Sequence, residues 1–335
     1  MTEVLAIDIG YGYTKGMTKR GQVLIPSMVG PAEAIRYESD VIEANGHGIA
    51  LEVDGRSFFV GEQAELQSAS ASQTLDITRT GSPEQKALFY AVCSELVRTV
   101  DDTLAVVTGL PVGDFTDRNK EALRDMLMGE HDVKRQGKHA RHFEVTGVNC
   151  VPQAIGSLFC LVLDKRGRLV DGDLAGGRVG IIDVGTLTTN YVLCDRLRYV
   201  EVGSDSVTTG TSEMLQKVAK DLKREYNLDW GLQLGKVDQA VRERKAPVYG
   251  DMVNIAGLVE PHLEALADTI VSKARTLWGP GVELTAVVLT GGGSWELGPY
   301  VRKAYPHTRT MGGDPQFANC AGYLRAGLRR FGEGV

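Results

Sequence analysis

One short pattern occurs twice in the chain, and it restricts the possible fold more than any other feature. The first copy covers residues 4–17 and the second covers residues 179–194. Each copy is an apolar strand that ends in an aspartate, followed by a glycine turn with hydroxyl side chains and a second strand. The interval between the copies is far longer than the period of a solenoid repeat. The pattern therefore predicts two halves built on the same core, with both turns lining a cleft between them.

The residue types of the two turns are those that bind phosphate groups and a metal ion. Glycines permit positive φ and close approach of a ligand, and successive backbone amides form an anion-binding concavity. Threonine hydroxyls add donors, and a lysine adds a compact positive charge suited to phosphate. Asp8 and Asp183 end their strands as hard oxygen ligands that hold Mg²⁺ through its waters. The predicted nucleotide-binding residues are Gly10, Gly12, Tyr13, Thr14 and Lys15 in the first turn and Gly185, Thr186, Thr188 and Thr189 in the second.

Each of these residues also has an ordinary explanation. Strand-end aspartates often cap turns, and a hairpin lysine is often simply solvated. The matched pair of acids and glycine turns favours the binding interpretation, because context is what makes a motif specific. Other nucleotide-binding folds fit less well: the first turn lacks the third glycine of the dinucleotide fingerprint, and no GxxxxGK[ST] occurs. The sequence therefore argues against a Rossmann dehydrogenase and a P-loop ATPase.

A third glycine loop follows the most apolar strand of the second half, residues 284–289. Three consecutive glycines are costly in chain entropy, so their position between a buried strand and a helix start indicates that exposed backbone is needed there. A flat base and a ribose fit such a surface, whereas a loose loop is the alternative. The residues predicted to bind them are Gly291, Gly292, Gly293 and Ser294.

Length and composition set the class of protein. The 335 residues suffice for two domains with separate cores, and 43% hydrophobic with 24% charged residues is typical of a soluble globular protein. The sequence shows no membrane span and no signal peptide, which predicts a cytoplasmic protein without a membrane partner. A net charge of -6 argues against direct binding of nucleic acid, so any link to DNA needs an adaptor. The five cysteines lack metal or disulfide spacing and are predicted to be core thiols.

Strands and helices alternate between the motifs, which predicts a parallel or mixed sheet with covered faces. Pro152 is predicted to open a helix with Gln153 in its first turn. The basic stretch 134–142 predicts a solvated turn, with a nucleic-acid patch as the lesser alternative. A polar run predicts a mobile segment near 67–75, and residues 227–250 are predicted to be polar and helical with turns. The predicted domains are 1–177, with an inserted subdomain at about 31–80, and 178–335, with an inserted subdomain at about 207–255 and a C-terminal helix at about 315–330 that returns to the first domain.

Five motifs in order resemble those shared by actin, sugar kinases and the heat-shock chaperone ATPase. They lie at 8–15 (phosphate 1), 153–157 (connect 1), 183–189 (phosphate 2), 290–294 (adenosine) and 312–322 (connect 2). Within that superfamily, the start of the chain, Pro26-Ser27 and the Thr-Gly-Leu-Pro at 108–111 are most similar to the bacterial and archaeal actin-like proteins of plasmid segregation, the ParM/StbA type.

The resemblance implies an α/β actin-like fold, in which two duplicated domains, each with a smaller inserted subdomain, close over Mg-ATP in a nucleotide cleft. It also implies polymerisation into filaments, disassembly timed by hydrolysis, and segregation of DNA through an adaptor protein. Gln153 matches the residue that orients the attacking water, and Asp183 is the second catalytic residue. Since an amide positions water but is no strong base, hydrolysis is expected to be slow. Glu213 and Lys217 fall where relatives contact adenine and ribose.

Two further functions remain open on the same fold. A small-metabolite kinase would need an aspartate base facing the γ-phosphate, and the sequence identifies none. A non-hydrolysing assembly platform would use nucleotide only as structural glue. The nucleotide is expected to be ATP, with GTP as the alternative.

Overall fold

The computed structural model describes residues 2–32, 49–68, 72–73, 80–97, 102–136, 139–227 and 234–332. Most of the segment predicted to be mobile, 67–75, and much of the predicted insertion at 31–80 lie outside the described residues. Within them, no helix is long and apolar enough to cross a membrane.

The described chain forms strands and helices in alternation. The strands are β1 (Glu3–Ile9), β2 (Tyr13–Thr18), β3 (Gly21–Pro26), β4 (Met28–Pro31), β5 (Ile49–Val53), β6 (Arg56–Val60), β7 (Ser72–Gln73), β8 (Asp102–Leu110), β9 (Gly129–Arg135), β10 (Arg141–Pro152), β11 (Arg178–Val184), β12 (Thr189–Asp195), β13 (Arg198–Val207), β14 (Lys245–Val248), β15 (Asp251–Asn254), β16 (Ala286–Thr290) and β17 (Thr308–Thr310). The α-helices are α1 (Glu62–Gln67), α2 (Pro83–Leu96), α3 (Asp117–Leu127), α4 (Ile155–Val162), α5 (Gly172–Gly176), α6 (Thr211–Tyr226), α7 (Leu234–Glu243), α8 (Ala256–Trp278), α9 (Ser294–Ala304) and α10 (Ala318–Phe331), and short 3₁₀ helices span Val112–Asp114 and Pro315–Phe317.

The chain divides into two compact units. Unit 1 contains Met1–Gly172 together with Phe317–Val335, and unit 2 contains Asp173–Gln316. The domain boundary at 177/178 and the two insertions remain predictions.

Both units are built on the same five-stranded plan. The strand order is β3-β2-β1-β8-β10 in unit 1 and β13-β12-β11-β16-β17 in unit 2. In each case the first three strands are antiparallel neighbours and the last two run parallel to the central strand. The duplicated α/β plan expected from the repeated hairpin is therefore present. In unit 1 the sheet continues through β9, β5, β6, β4 and β7.

The core of unit 1 follows from the alternation of side chains along β1. Leu5 and Ile7 point into a cluster with helix α2, whereas Val4 and Ala6 pack on the other face against α10. Successive strand residues face opposite sides of a sheet, so a central strand covered on both faces must be apolar throughout. In unit 2 the main core lies between the sheet and helices α6 and α8.

Three local predictions were wrong. Pro152 does not open a helix: β10 runs through Pro152, because its backbone stays paired with β8, and α4 begins at Ile155. The basic stretch at 134–142 is not one solvated turn, since Arg135 ends β9, is buried and bonds Glu95. The helical prediction for residues 227–250 holds for α7 but was wrong after it, where β14 and β15 form a hairpin.

Candidate nucleotide-binding site

The first hairpin turn joins β1 to β2 and is closed by a short hydrogen bond. The Gly10 amide donates to the Tyr13 carbonyl at 3.1 Å. In this register Asp8 lies directly opposite Lys15 on the neighbouring strand. The turn therefore places the aspartate and the lysine side by side at one end of the sheet.

The carboxylate of Asp8 holds two other predicted site residues. It is 2% exposed. One oxygen, Oδ2, lies 3.1 Å from Lys15 Nζ, and the other, Oδ1, accepts from Gln153 Nε2 at 2.5 Å. A buried carboxylate is stable only when paired and hydrogen-bonded, and here both requirements are met. The first phosphate motif and the first connecting motif thus converge on one acid.

Gln153 is fixed by backbone contacts as well as by its side chain. Its backbone amide donates to the Leu110 carbonyl at 2.8 Å, and its backbone carbonyl accepts from the Tyr323 hydroxyl at 2.6 Å. Nearby, Asn319 Oδ1 accepts from both the amide and the hydroxyl of Ser157, at 3.0 and 2.7 Å. Helix α10, which carries the second connecting motif, therefore anchors the first one. The sequence did not indicate that Asn319 and Tyr323 have this role.

The hydroxyl of Thr14 faces the protein interior. Thr14 is fully buried, and its Oγ1 lies 2.9 Å from Ser27 Oγ, which in turn donates to the Gly10 carbonyl at 2.7 Å. The amide of Ser27 also donates to the Gly12 carbonyl at 2.9 Å. Ser27 therefore holds the turn through the carbonyl groups of Gly10 and Gly12. Contact of Thr14 with nucleotide remains a prediction.

The second hairpin repeats the geometry of the first. The Gly185 amide donates to the Thr188 carbonyl at 2.9 Å, and Asp183, 6% exposed, lies opposite Asn190. Each aspartate precedes its turn glycine by the same two positions. Asn190 stands where the first hairpin has Lys15, so the two hairpins are alike in backbone but differ in charge.

Carbonyl groups of the second turn meet the start of helix α6. The amides of Thr211 and Ser212 donate to the carbonyls of Gly185 and Thr186, at 3.0 and 2.8 Å. The Thr189 hydroxyl donates to the Thr209 carbonyl at 2.6 Å. These bonds satisfy amides that a helix start otherwise leaves unpaired, and they hold the turn in one position.

The third glycine loop packs directly against the second hairpin. Gly291 has φ +85°, and a Cβ there would lie 2.4 Å from both Asp183 Oδ1 and the Val184 carbonyl. Glycine is therefore required on conformational and steric grounds. The Gly293 amide donates to the Val184 carbonyl, and the Ser294 hydroxyl donates to the Gly291 carbonyl. The predicted phosphate and adenosine motifs of unit 2 thus form one continuous surface.

Three long side chains of unit 2 lie on helix α6 or beside the glycine loop at 291–293. Glu213 and Lys217 form an exposed ion pair of 2.8 Å along α6, and both side chains are more than half exposed. Arg242 of α7, which the sequence did not single out, donates to the Gly292 carbonyl at 3.3 Å and pairs with Asp238. It fixes the glycine loop from the side of α7.

The donor set fits a magnesium ion that is held mainly by phosphate and water. Among the described residues, no group of three or more His, Cys, Asp or Glu side chains is arranged to hold a metal. Mg²⁺ in nucleotide sites commonly uses one or two carboxylates and takes its other ligands from phosphates and waters. Single aspartates such as Asp8 and Asp183 meet that need.

The thiol beneath the first hairpin is not a nucleophile. Cys320 is fully buried, and its Sγ lies 3.4 Å from the Ala6 carbonyl. Burial raises the pKa of the Cys320 thiol well above its usual value, and the negative charge of Asp8 raises it further. The thiol stays neutral and serves packing, as predicted for the cysteines.

Comparison with known proteins decides the family. A model of the N-terminal domain of actin-like proteins matches residues 6–156, and a model of the C-terminal domain of archaeal MreB-like actin homologues matches residues 181–303. The chain belongs to the actin-like proteins. The predicted superfamily and fold are thereby confirmed. No curated protein sequence matches the chain.

Solved structures share the fold over nearly the whole chain. A non-polymerisable quadruple mutant of pCBH ParM is 24% identical, with 98% of this chain and 100% of that one covered and a TM-score of 0.77. An archaeal actin homologue in complex with ADP is 22% identical, with 98% and 100% covered and a TM-score of 0.81. The ParM of a 15-stranded filament from Clostridium botulinum is 24% identical, with 98% and 99% covered and a TM-score of 0.78. Likeness at these identities establishes the fold of this actin-like protein.

Proposed function

We propose that this actin-like protein binds Mg-ATP, hydrolyses it slowly and polymerises into filaments that disassemble after hydrolysis. The observation that carries the proposal is the buried carboxylate of Asp8, which holds Lys15 on one oxygen and Gln153 on the other. In this proposal the cation that binds phosphate and the amide that orients water are held by the same acid.

Lys15 and Gln153 have separate tasks in this proposal. An ammonium group has three donors, so Lys15 can keep its contact with Asp8 and still donate to phosphate oxygens. Gln153 commits Nε2 to Asp8, so its Oε1 is the atom that accepts a hydrogen bond from the attacking water. Orientation of water by an amide, without a strong base, is typical of slow nucleotide hydrolysis.

Unit 2 supplies the remaining contacts. The turn at Gly185 binds phosphate through backbone amides and the hydroxyls of Thr186 and Thr188, and Thr189 holds the turn through its bond to the Thr209 carbonyl. Asp183 in unit 2, like Asp8 in unit 1, is a proposed ligand of Mg²⁺ through waters. The glycine loop at 291–293 with Ser294 receives the ribose and base, and Glu213 and Lys217 contact their polar edges. Magnesium, when bound, neutralises the charge that develops on the phosphates.

Similar structures support self-association. One of them is a ParM filament, and another is a ParM made non-polymerisable by mutation. By this likeness we propose that the protein forms filaments in the cytoplasm and segregates plasmid DNA through an adaptor, since its net charge of -6 is unsuited to direct DNA binding.

The test measures phosphate release, light scattering and pelleting in one sample with ATP and Mg²⁺, with GTP in a parallel sample. We expect slow turnover together with scattering. Hydrolysis at high protein concentration without scattering or pelleting would show that the protein is not cytoskeletal. Turnover that requires an added sugar or acid would instead indicate a metabolite kinase. Assembly without any turnover would indicate a nucleotide-bound platform.

A further inference from the structure

Tyr323 of α10 carries its hydroxyl group into the interior of unit 1. Its side chain is fully buried, and its ring packs in an apolar cluster with Ala6 of β1 and Val107 of β8. The hydroxyl donates to the Gln153 backbone carbonyl at 2.6 Å. Close packing fixes the ring, so the point at which the hydroxyl meets Gln153 is fixed as well.

Gly109 of β8 leaves the space that this hydroxyl occupies. A Cβ at position 109 would overlap the Tyr323 hydroxyl oxygen, and it would lie 2.8 Å from the ring carbon Cζ and 3.0 Å from Gln153 Cα. Gly109 pairs with Val151 of β10 as an ordinary strand residue does. Glycine inside a strand often marks a close approach of another part of the chain, and here the tyrosine hydroxyl makes that approach.

Gln153 depends on such contacts because it belongs to the short turn between β10 and α4 and to neither element. Its backbone amide donates to the Leu110 carbonyl at 2.8 Å. Its backbone carbonyl accepts from the Tyr323 hydroxyl at 2.6 Å and from the Gly156 amide at the longer distance of 3.3 Å. The position of the Gln153 backbone is therefore set by one bond to β8 and one bond to α10, in addition to the turn itself.

The side chain of Gln153 transmits the position of its backbone to the candidate site. Its Nε2 donates to Asp8 Oδ1 at 2.5 Å, which leaves Oε1 for water in the proposed mechanism. A shift of the backbone moves the whole side chain relative to Asp8. Since a misplacement of about 1 Å can cost about 10²-fold in rate, a small displacement is enough to slow hydrolysis.

We propose that Tyr323 is a positioning residue for ATP hydrolysis: its hydroxyl, seated against Gly109, holds the backbone of Gln153 where the side-chain amide orients water. This inference rests on the proposed function and adds to it a fully buried residue that acts through Gln153. Tyr323 therefore affects the hydrolytic step and not the binding of nucleotide. A tyrosine with a structural role alone would affect only the stability of the fold.

Tyr323→Phe removes the hydroxyl and keeps the packed ring. The Gln153 carbonyl retains its bond from the Gly156 amide, so it is not left without a partner and the variant should fold. Single-turnover phosphate release, normalised to the fraction of protein that pellets, should slow about tenfold, whereas the equilibrium affinity for ATP should not change. The normalisation removes any effect of the substitution on assembly.

Tyr305→Phe is the matched control. Tyr305 of unit 2 is also fully buried, and its hydroxyl donates to the Gly279 carbonyl at 3.1 Å. It follows the end of α9 that lies away from the glycine loop. Both variants should lower the midpoint of thermal unfolding by similar amounts, but Tyr305→Phe should hydrolyse ATP at the wild-type rate. An equal loss of hydrolysis in the two variants would assign the effect to stability and overturn the proposal.

Gly109→Ala tests the same contact from the side of β8. The added methyl group should displace the Tyr323 hydroxyl and slow hydrolysis, again without a change in ATP affinity. In the double variant with Tyr323→Phe, the oxygen that the methyl group would meet is absent, so the two losses in rate should not multiply. A double variant slowed by the full product of the single effects would show that the two positions act independently, which would contradict the proposed contact.

The results separate this inference from the proposed function. If the wild type hydrolyses ATP and assembles, but Tyr323→Phe hydrolyses ATP at the wild-type rate or loses affinity as much as rate, the positioning role is wrong while the function stands. If the wild type does not hydrolyse ATP, the proposed function fails and the positioning role with it. Should Gly109→Ala fail to fold, Tyr323→Phe and its control decide the role by themselves.

Discussion

Asp8 is the residue on which the candidate site of unit 1 depends most. A carboxylate that is 2% exposed has lost most of its contact with water and needs an ion pair and hydrogen bonds in its place. Lys15 provides the ion pair and Gln153 the hydrogen bond, from two different parts of the chain. Removing Asp8 would leave the partly buried charge of Lys15 without its partner, so substitutions at Asp8 mix effects on folding with effects on activity. Substitutions at its partners are easier to interpret.

Replacing Gln153 with alanine should slow ATP hydrolysis by about 10²-fold and change nucleotide affinity far less, because the proposed role of the amide is to orient water and not to bind the nucleotide. Single-turnover phosphate release and equilibrium nucleotide titration measure the two effects. Gln239→Ala, at an exposed glutamine of α7, is the control and should leave both unchanged. Equal losses in hydrolysis and binding would contradict the role of Gln153.

Replacing Asp183 with alanine should abolish hydrolysis of Mg-nucleotide, because the proposed magnesium site then lacks the carboxylate next to the end of β11. Phosphate release at saturating ATP and Mg²⁺ measures the loss. Asp195→Ala, at the exposed far end of β12, should retain wild-type turnover. Wild-type turnover in the Asp183 variant would exclude this residue from the site.

His131 makes unit 1 sensitive to acid. Burial lowers the pKa of His131, whose ring packs against Phe89 and Phe143 and whose Nε2 lies 2.9 Å from the Leu127 carbonyl. The unfolded chain therefore takes up a proton below about pH 6.5 that the folded chain resists, and stability present above that pH is lost as pH falls further. Thermal unfolding between pH 8 and pH 5 measures the effect. His131→Gln should flatten the pH dependence, whereas exposed His139→Gln should not.

At this scale the sequence indicates residue types but not their contacts. The acids, glycines and lysine of the hairpins follow from local pattern, because a strand followed by a glycine turn fixes neighbours within a few positions. The bond between Asp8 and Gln153 joins residues 145 positions apart. Asn319 and Tyr323 hold Ser157 and Gln153 through contacts that span 162 and 170 positions, which no local pattern encodes. Ser27 holds the first turn from 13 and 17 positions away.

Among the elements, the crossing of α4 and α10 supports the candidate site most directly. A Cβ at Gly322 would lie 1.7 Å from the Gly156 carbonyl, so the two helix backbones touch at this point. The same crossing brings Asn319 to Ser157 and Tyr323 to Gln153. The spacing of these two helices therefore controls the position of Gln153.

Gly322→Ala should force the two helices apart and destabilise the protein by about 1–3 kcal/mol, the usual cost of overpacking. Gly257→Ala, in the first turn of α8 with open space around the added methyl group, should be neutral or stabilising by up to about 1 kcal/mol. Denaturant unfolding measures both. A Gly322 variant as stable as the Gly257 variant would show that the helices can separate without cost.

The elements that were predicted wrongly share a cause. β10 continues through Pro152 because pairing with β8 outweighs the local preference of proline for a helix start. Arg135 is buried because a strand direction and the partner Glu95 determine its surroundings, not the charge of its neighbours. The hairpin of β14 and β15 is short and carries an atypical turn residue, so the usual Asn-Gly signal is missing.

Across the whole molecule, two sheets with the same strand order bear out the duplication that the repeated hairpin indicates. Local pattern predicts such a repeat well, since each copy specifies its own strand, turn and strand. It says less about exact domain limits, because these depend on tertiary packing such as that of α10 on β1. The predicted domain limits therefore need a separate test, such as limited proteolysis.

The most direct test of the central claim measures phosphate release and light scattering together while the concentration of protein rises at fixed ATP and Mg²⁺. Hydrolysis coupled to polymerisation predicts a threshold concentration, above which scattering appears and turnover per molecule increases. The Asp183→Ala variant should show no turnover at any concentration. Turnover per molecule that stays constant across the whole range, with no scattering, would contradict a polymerising ATPase.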